Sequence, residues 1–561
     1  MFWSDRATGR RSCRPRTRST HLSSRRTCPL VPPDVFERAV SRRNPTCSGV
    51  FDWVPGPLKA QYGFTPWSGF ARPEPCIPND PMRSLSMSTR ALSRRNFLAL
   101  SGTAAASLVA AACVAPEGAP AAGEGEPMME TIELNHWGFS GPIWETIWDA
   151  VPDTYPNMTV NPTEIGDIVF GDQKFTTAVA AGTGPDTAMQ NRHTFLQFAA
   201  KGLYQDVTER FDASDLNRDD YTPVQLNETV WEGKMYGLPW GTDVRYLYWN
   251  KDHFAEVGLD PEQPPTTWAE LEEYADKLNI RDGDEVVRYG FVPYLYGNSW
   301  MWLYGFLAGA PSLSDDKRTI LCDDQRWIDT LQWMVNFYDN YVGDFELANS
   351  FQQGIRSAGL GLPFVAGKTS MSATGDWHVR DLLRSPGVDY GTAPMPIPPG
   401  GMKSTWSCGF SIVMAPGSEH PDEAFQLMRW FTGTPGWDAL AAADVAETKR
   451  TWEREQLEGE PKFWPRLACY LPALEAMEQK YLPELGEIEN STWTLSLDAL
   501  RNWTHGCGSV MGVAALQYWV EMDNAARNAL SKQMTPEEAM LNCKTLVQEA
   551  TDQAWEAIDN A

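Results

Sequence analysis

The chain predicts an α/β fold spread over more than one domain. Strand-like and helix-like segments alternate from residue 131 onward, as in layered sheets covered by helices. Roughly 430 residues follow Glu130, more than one ordinary hydrophobic core holds and comfortable for two. No internal repeat is visible. In order, residues 131–134 read as an opening strand, 175–181 as a helix, 187–189 as a short strand and 194–201 as a second helix. Gly182, Gly184 and Pro185 stop the first helix and turn the chain into the strand. Gly233 to Gly237 puts a turn ahead of an apolar-aromatic run, a hairpin-like entry. Residues 268–278 read as a helix capped by Thr266 or Thr267, with Pro264-Pro265 just outside.

The stretch Ser93-Arg94-Arg95-Asn96-Phe97-Leu98 resembles a twin-arginine export signal. The apolar run that follows, 97–112, is broken by Ser101, Gly102 and Ser107, too short and weakly apolar for a membrane span. The small residues before Cys113 resemble a lipoprotein cleavage site, so Cys113 is the expected lipid attachment. Residues 1–86 are rich in Arg, Ser, Pro and Trp, hold four of the ten cysteines, and show no helical or strand period. They are expected to be an over-extended gene model, with translation starting at Met87 or, as the second choice, at Met82. Residues 87–113 are then the signal and 114–130 a flexible tether.

Seventeen of the 47 basic and six of the 73 acidic residues precede Cys113, so the remainder carries a net charge near −37. Such a surface repels phosphate backbones and anionic lipid, which excludes nucleic-acid binding and leaves the lipid as the membrane attachment. Cys322, Cys408, Cys469, Cys507 and Cys543 form no CxxC pair and no metal-ribbon spacing, and their disulfide state is open. The seven histidines are scattered, with no spacing that gathers a metal. No HExxH, GxSxG, phosphate-loop or dinucleotide fingerprint is present, so no cofactor is expected. Acidic pairs such as Asp315-Asp316 read as solvated loop charges.

Tryptophan is the informative residue, with 24 in the chain. Trp137, Trp240, Trp300, Trp302 and Trp377 stand at strand-to-loop junctions, where clefts of α/β proteins are lined. A sugar offers an apolar C–H face and a rim of hydroxyls, matched by indole faces beside Asp, Asn, Gln and Arg. For each tryptophan alone, core packing competes with this reading.

Four segments carry a specific resemblance. They are Ala181-Gly-Thr-Gly-Pro-Asp-Thr-Ala-Met189; Gly233-Lys-Met-Tyr-Gly-Leu-Pro239, running through Tyr248-Trp-Asn-Lys-Asp-His-Phe254 to Pro264-Pro-Thr-Thr-Trp-Ala-Glu-Leu271; Phe364-Val-Ala-Gly-Lys-Thr-Ser-Met371 with Gly375-Asp-Trp377; and Thr535-Pro-Glu-Glu-Ala-Met540. In this order the chain from Thr131 to its end resembles the extracellular solute-binding proteins of carbohydrate ABC importers.

The resemblance implies a type II periplasmic-binding fold: two discontinuous α/β lobes joined by hinge strands, with the ligand cleft between them. One lobe is expected at 131–242 with 409–470, the other at 243–408 with 471–561. It implies that Asp243 grips a sugar hydroxyl at the hinge and that Trp377 and Trp519 stack on sugar faces. Gln190 and His193 stand where relatives carry an aromatic and an aspartate. Arg245 is either a donor to the ligand or an inter-lobe ion pair; Asn298, Trp300 and Trp406 line the cleft, with Trp137 and Trp240 open between cleft and core. The implied partners are separate permease and ATPase chains, the protein itself being a monomer without a catalytic step. A polyol, glycerol-phosphate ester or peptide remains as ligand; a phosphate would need convergent cations, for which the cleft offers mainly Arg192 and Arg245. A secreted glycoside hydrolase using Asp243 and Asp376 is the rival of another class.

Overall fold

The computed structural model describes residues 130–165, 173–283, 285–294, 300–359, 361–508 and 510–560. The expected signal, Cys113 and Asn298 lie outside the described residues. The strands, in chain order, are β1 (Ile132–Gly138), β2 (Met158–Glu164), β3 (Thr187–Asn191), β4 (Val230–Trp231), β5 (Lys234–Met235), β6 (Gly237–Thr242), β7 (Arg245–Asn250), β8 (Ile280–Asp282) and β9 (Glu285–Arg288). They continue with β10 (Met371–Gly375), β11 (Tyr390–Ala393), β12 (Thr405–Ser407), β13 (Gly409–Met414), β14 (Leu467–Ala468) and β15 (Thr504–Gly506).

The first lobe is built on a six-stranded mixed sheet in the order β14-β6-β13-β3-β1-β2. β1 pairs in parallel with β2 and β3, while β13 runs antiparallel to β3 and β6. β3 and β6 are buried at every position, because helices cover both faces. Alternate side chains therefore enter different cores. Met189, Ile412 and Met414 face helices Pro421–Thr432 and Thr434–Glu455, while Ala188 and Val413 join Phe175 and Phe195 on the other face. β4 and β5 form the expected hairpin, with Gly233 at φ 80° in the turn between them.

The second lobe is centred on a three-stranded antiparallel sheet, β10-β7-β11. Leu247 and Trp249 point into a large core with helices Trp268–Leu278, Met301–Leu307 and Gln325–Phe337. Thr267 caps the first of these in a reciprocal box with Glu270. Tyr246 and Tyr248 point the other way, under helix Glu487–Asn502, where Tyr246 Oη meets Ser496 Oγ at 2.6 Å.

The chain passes between the sheets at Asp243-Val244 and again at Cys408, and β15 pairs in parallel with β12 beside the second passage. Residues 436–503 form helices joining the two sheets, with Trp437, Trp452, Trp464 and Trp493 all buried. The last helix, Pro536–Asp559, packs mainly in the second core, yet its Trp555 stands 5.5 Å from Trp231 of the first lobe. The C-terminal segment thus touches both lobes.

Candidate ligand site

Arg245 opens β7, and its guanidinium lies against three indole rings: Trp406 at 4.3 Å, Trp300 at 5.0 Å and Trp377 at 5.3 Å. Its Nη1 donates to Asp243 Oδ1 at 2.5 Å and to the Trp406 carbonyl at 2.7 Å. The same Asp243 oxygen accepts the backbone N–H of Cys408 at 2.8 Å. Trp406 meets Trp300 edge-on at 6.0 Å and tilts against Trp519 at 5.4 Å. His193 stands edge-on to Trp519 at 4.5 Å and to Trp406 at 5.6 Å. Asp243, Arg245, His193, Trp300, Trp377, Trp406 and Trp519 therefore form one cluster.

Strand ends and helix starts place these groups. His193 lies in the 3-10 turn after β3, Trp377 in the 3-10 turn after β10, and Trp519 on helix Ala515–Leu530. Trp300 caps helix Met301–Leu307 in the left-handed region, at φ 52°. Trp377, Trp519 and Asp243 keep partial exposure, whereas Arg245 and Trp406 are buried beneath them. Arg245 Nε and Trp406 Nε1 are buried donors that no protein group answers. Indole faces, unanswered donors and a carboxylate together suit a ligand with apolar faces and hydroxyl oxygens. Two surface pockets of about 260 and 430 Å³ share no residue with the cluster.

The electrostatics follow from burial. His193 is held neutral, its pKa well below the usual value through desolvation and then the charges of Arg245 and Arg192. Asp376, next to Trp377, is pushed up to about 7 by burial and then by the Asp243 charge. Its carboxylate accepts the Val244 N–H at 3.3 Å at the first passage between lobes.

Beneath the cluster lies an element that sequence reasoning missed. Arg192, offered from sequence as a cleft cation, is fully buried and paired with Glu228 at 2.9 Å. Its Nη1 donates to the carbonyls of Gly241 and Phe410, both at 2.8 Å, and its Nη2 to that of Cys408 at 2.5 Å. Glu228 Oε1 accepts the Gly508 N–H at 2.5 Å. One ion pair thus ties together the ends of β6, the β12–β13 junction and the segment after β15. The approach is close enough to require glycine. A Cβ on Gly409 (φ 130°) would meet the Gly241 carbonyl at 2.2 Å, and one on Gly508 the Arg192 carbonyl at 2.2 Å.

Cys408 and Cys507, 99 residues apart, are joined in a disulfide, a pairing the spacing of cysteines had left open. The donor atoms of His193, Cys408 and Cys507 lie within 4.8 Å of one another, but joined sulfurs offer no thiolate to a metal.

Other expected site residues lie elsewhere. Trp240 is sandwiched between Phe431 at 5.3 Å and Trp437 at 5.0 Å, because its strand face is the one helices 421–432 and 434–455 cover. Trp137 stands on the opposite face, edge-on to Phe175 with the Lys174 ammonium 4.5 Å over its ring. Gln190 is buried and accepts from the Tyr204 hydroxyl at 3.1 Å. Trp302 is in the interior of helix Met301–Leu307, packed edge-on to Trp327 and Tyr518.

Two lobes, chain passages between them and an aromatic cluster beside those passages define a two-lobed binding protein. Residues 144–436, just over half the chain, match the family model described as "Bacterial extracellular solute-binding protein". The chain belongs to that family. A binding protein of Brucella abortus (strain 2308) is 25% identical over 322 residues, covering 55% of this chain and 72% of that protein. A maltotriose-binding protein of Pyrococcus abyssi is 24% identical over 273 residues, 46% of this chain and 53% of the relative. Among solved structures, the mannobiose-bound protein CpMnBP1 superposes with a TM-score of 0.59 at 22% identity, covering 74% of this chain and 100% of that one. No helix among the described residues is long and apolar enough to cross a membrane.

Proposed function

We propose that this protein is the extracellular receptor of an ABC importer, capturing a sugar or short oligosaccharide between its lobes and delivering it to a separate membrane permease. The single observation that carries this reading is the cluster of four tryptophans around the Arg245–Asp243 pair. In it, partly exposed Trp377 and Trp519 stack on sugar faces and Asp243 accepts from a hydroxyl, over a floor of Arg245 and Trp406. His193 and Trp300 hold those rings in place. Relatives that bind maltotriose and mannobiose support the ligand class. The lobes close because the ligand touches both, and the closed form engages the permease.

The protein is exported by the twin-arginine route, held on the outer face of the cytoplasmic membrane by a lipid on Cys113, and acts as a monomer without a catalytic step. The lobes run over 131–242 with 409–470 and over 243–408 with 471–561, a division supported by strands β14, β6, β13, β3, β1 and β2 falling in the first and β10, β7 and β11 in the second. A phosphate ester is a poor ligand here, since the Arg192 guanidinium is committed to Glu228 and that of Arg245 to Asp243. A thermal-shift screen of the purified protein against mannobiose, maltotriose, polyols, glycerol phosphate and peptides tests the reading. A sugar near 100 times its Kd adds about 2.7 kcal/mol. Stabilisation by glycerol phosphate or peptide alone overturns the ligand class, and release of reducing ends from an oligosaccharide overturns the non-enzymatic role.

A further inference from the structure

The Cys408–Cys507 bond lies beneath the ligand cluster, where the chain passes between lobes. Cys408 separates β12 from β13, Cys507 directly follows β15, and β12 and β15 pair in parallel. The bond therefore staples the ends of two paired strands of the second lobe directly beneath the cluster. Its neighbour is unusual. His193 Nε2 faces Cys408 Sγ at 3.1 Å, and the ring packs against Trp519 and Trp406.

The tautomer of His193 follows from its surroundings. Asn191 Oδ1 already accepts the His193 backbone N–H at 2.9 Å, so the atom in contact with Nδ1 is an oxygen and Nδ1 carries the proton. The Nε2 lone pair is thus aimed at a sulfur that has no hydrogen to give while the disulfide is intact. Once Cys408 is a thiol, its S–H donates to Nε2. The reduced state gains contacts that the oxidised state lacks.

We propose that Cys408–Cys507 is a reversible thiol–disulfide site that sets the affinity of the ligand cluster, exchanging with a small external dithiol. This rests on the sugar-binding reading above. A thiolate of the dithiol attacks Cys507 Sγ, the Cys408–Cys507 bond breaks, and Cys408 leaves as a thiolate, takes a proton from water and, as S–H, hydrogen-bonds His193 Nε2. The second thiolate of the reagent then attacks its own sulfur in the mixed disulfide, releasing Cys507, which is protonated. The dithiol loses two electrons and becomes a cyclic disulfide; the protein gains two thiols. Both sulfurs are buried, so exchange proceeds from opened lobes and a bound sugar slows it. With the bond gone, the β12–β15 pairing and the Arg192–Glu228 network still hold the two segments, but the Cys408 thiol now hydrogen-bonds His193 Nε2 and shifts the His193 ring that packs on Trp406 and Trp519. Cys469 is free and buried and serves as the internal reference, whereas Cys322 and Cys543 stand with their sulfurs 3.6 Å apart and are mapped separately.

The test uses the full chain, oxidised or treated anaerobically with graded dithiothreitol, then alkylated and mapped by mass spectrometry. Affinity for mannobiose and maltotriose is measured by calorimetry on both forms. Two added labels on Cys408 and Cys507 of the folded protein, sugar protection against labelling, and roughly tenfold weaker binding after reduction are expected. A C408S/C507S double variant binds like the reduced protein and ignores dithiothreitol. H193A requires about threefold more dithiothreitol for half-reduction, having lost the thiol's acceptor. Labels that appear only on unfolding, equal affinities of the two redox forms, or a double variant that binds like the oxidised protein overturn the proposal. If the oxidised protein binds no sugar, the receptor reading fails instead; the dithiothreitol titration of H193A still decides the exchange site, an unchanged midpoint overturning it.

Discussion

Replacing Arg192 by Met keeps the volume and removes the charge at the junction of the chain passages. The variant leaves the Glu228 carboxylate fully buried without its guanidinium, and strips the carbonyls of Gly241, Phe410 and Cys408 of a charged donor. Breaking one side of a buried ion pair costs about 3–5 kcal/mol. The three carbonyl bonds are not added separately, since they and the ion pair act as one network. At about 2.1 cal/mol/K per residue over the roughly 430 residues after Glu130, each kcal/mol moves Tm by close to 1 °C. R192M should therefore melt about 3–5 °C below the wild type by calorimetry. Because the same network fixes the passages between lobes, sugar affinity should fall as well. E228Q retains an acceptor for the Gly508 N–H and should lose less. A Tm within 1 °C of wild type together with unchanged affinity would refute the role given to this pair.

Other outcomes follow from the same geometry. W377A and W519A each remove a partly exposed ring from the cluster and should weaken sugar binding about tenfold or more, measured by calorimetry, with little change in Tm. W437A removes a fully buried ring stacked on Trp240 and should destabilise by about 3–5 kcal/mol while leaving affinity nearly intact. Asp376 has a folded pKa of about 7 against an ordinary carboxyl value of 3.8, so the folded state binds its proton more tightly. Its contribution is fully present below pH ~4 and is lost as pH rises through ~7, a decline of about 4 kcal/mol. D376N keeps the acceptor for Val244 N–H and should melt several degrees above wild type at pH 8 and level with it at pH 4; identical pH profiles would contradict the assignment. A sugar-binding role also predicts that D376N still binds, whereas a hydrolase relying on this carboxyl would lose turnover.

The fold was legible where local chemistry is strong. The Thr267 cap, the Gly233 turn and the helix-to-strand break at Gly182-Thr-Gly-Pro185 each act within a few residues, and all appear where the sequence places them. The motif around residues 243–254 and Gly375-Asp-Trp377 led to Asp243, Arg245 and Trp377, which do meet in space. What sequence did not supply depends on contacts distant along the chain. Arg192 meets Cys408 and Phe410 over 200 residues away, and a buried arginine leaves no periodic trace. The 99-residue span of the disulfide has no local signature either. Trp240 and Trp377 both stand beside Gly and a short polar residue. Only the helices packed over the β6 face decide that the first is core, while the second joins the aromatic cluster around Arg245.

The most direct measurement is calorimetric titration of the wild-type protein with mannobiose and maltotriose, followed by tryptophan fluorescence of the same mixtures. Saturable one-to-one binding with a fluorescence change lost in W377A is the predicted result. No heat from either sugar or from a wider oligosaccharide set, or a sugar response that survives loss of both Trp377 and Trp519, would contradict the assignment of this cluster as the ligand site.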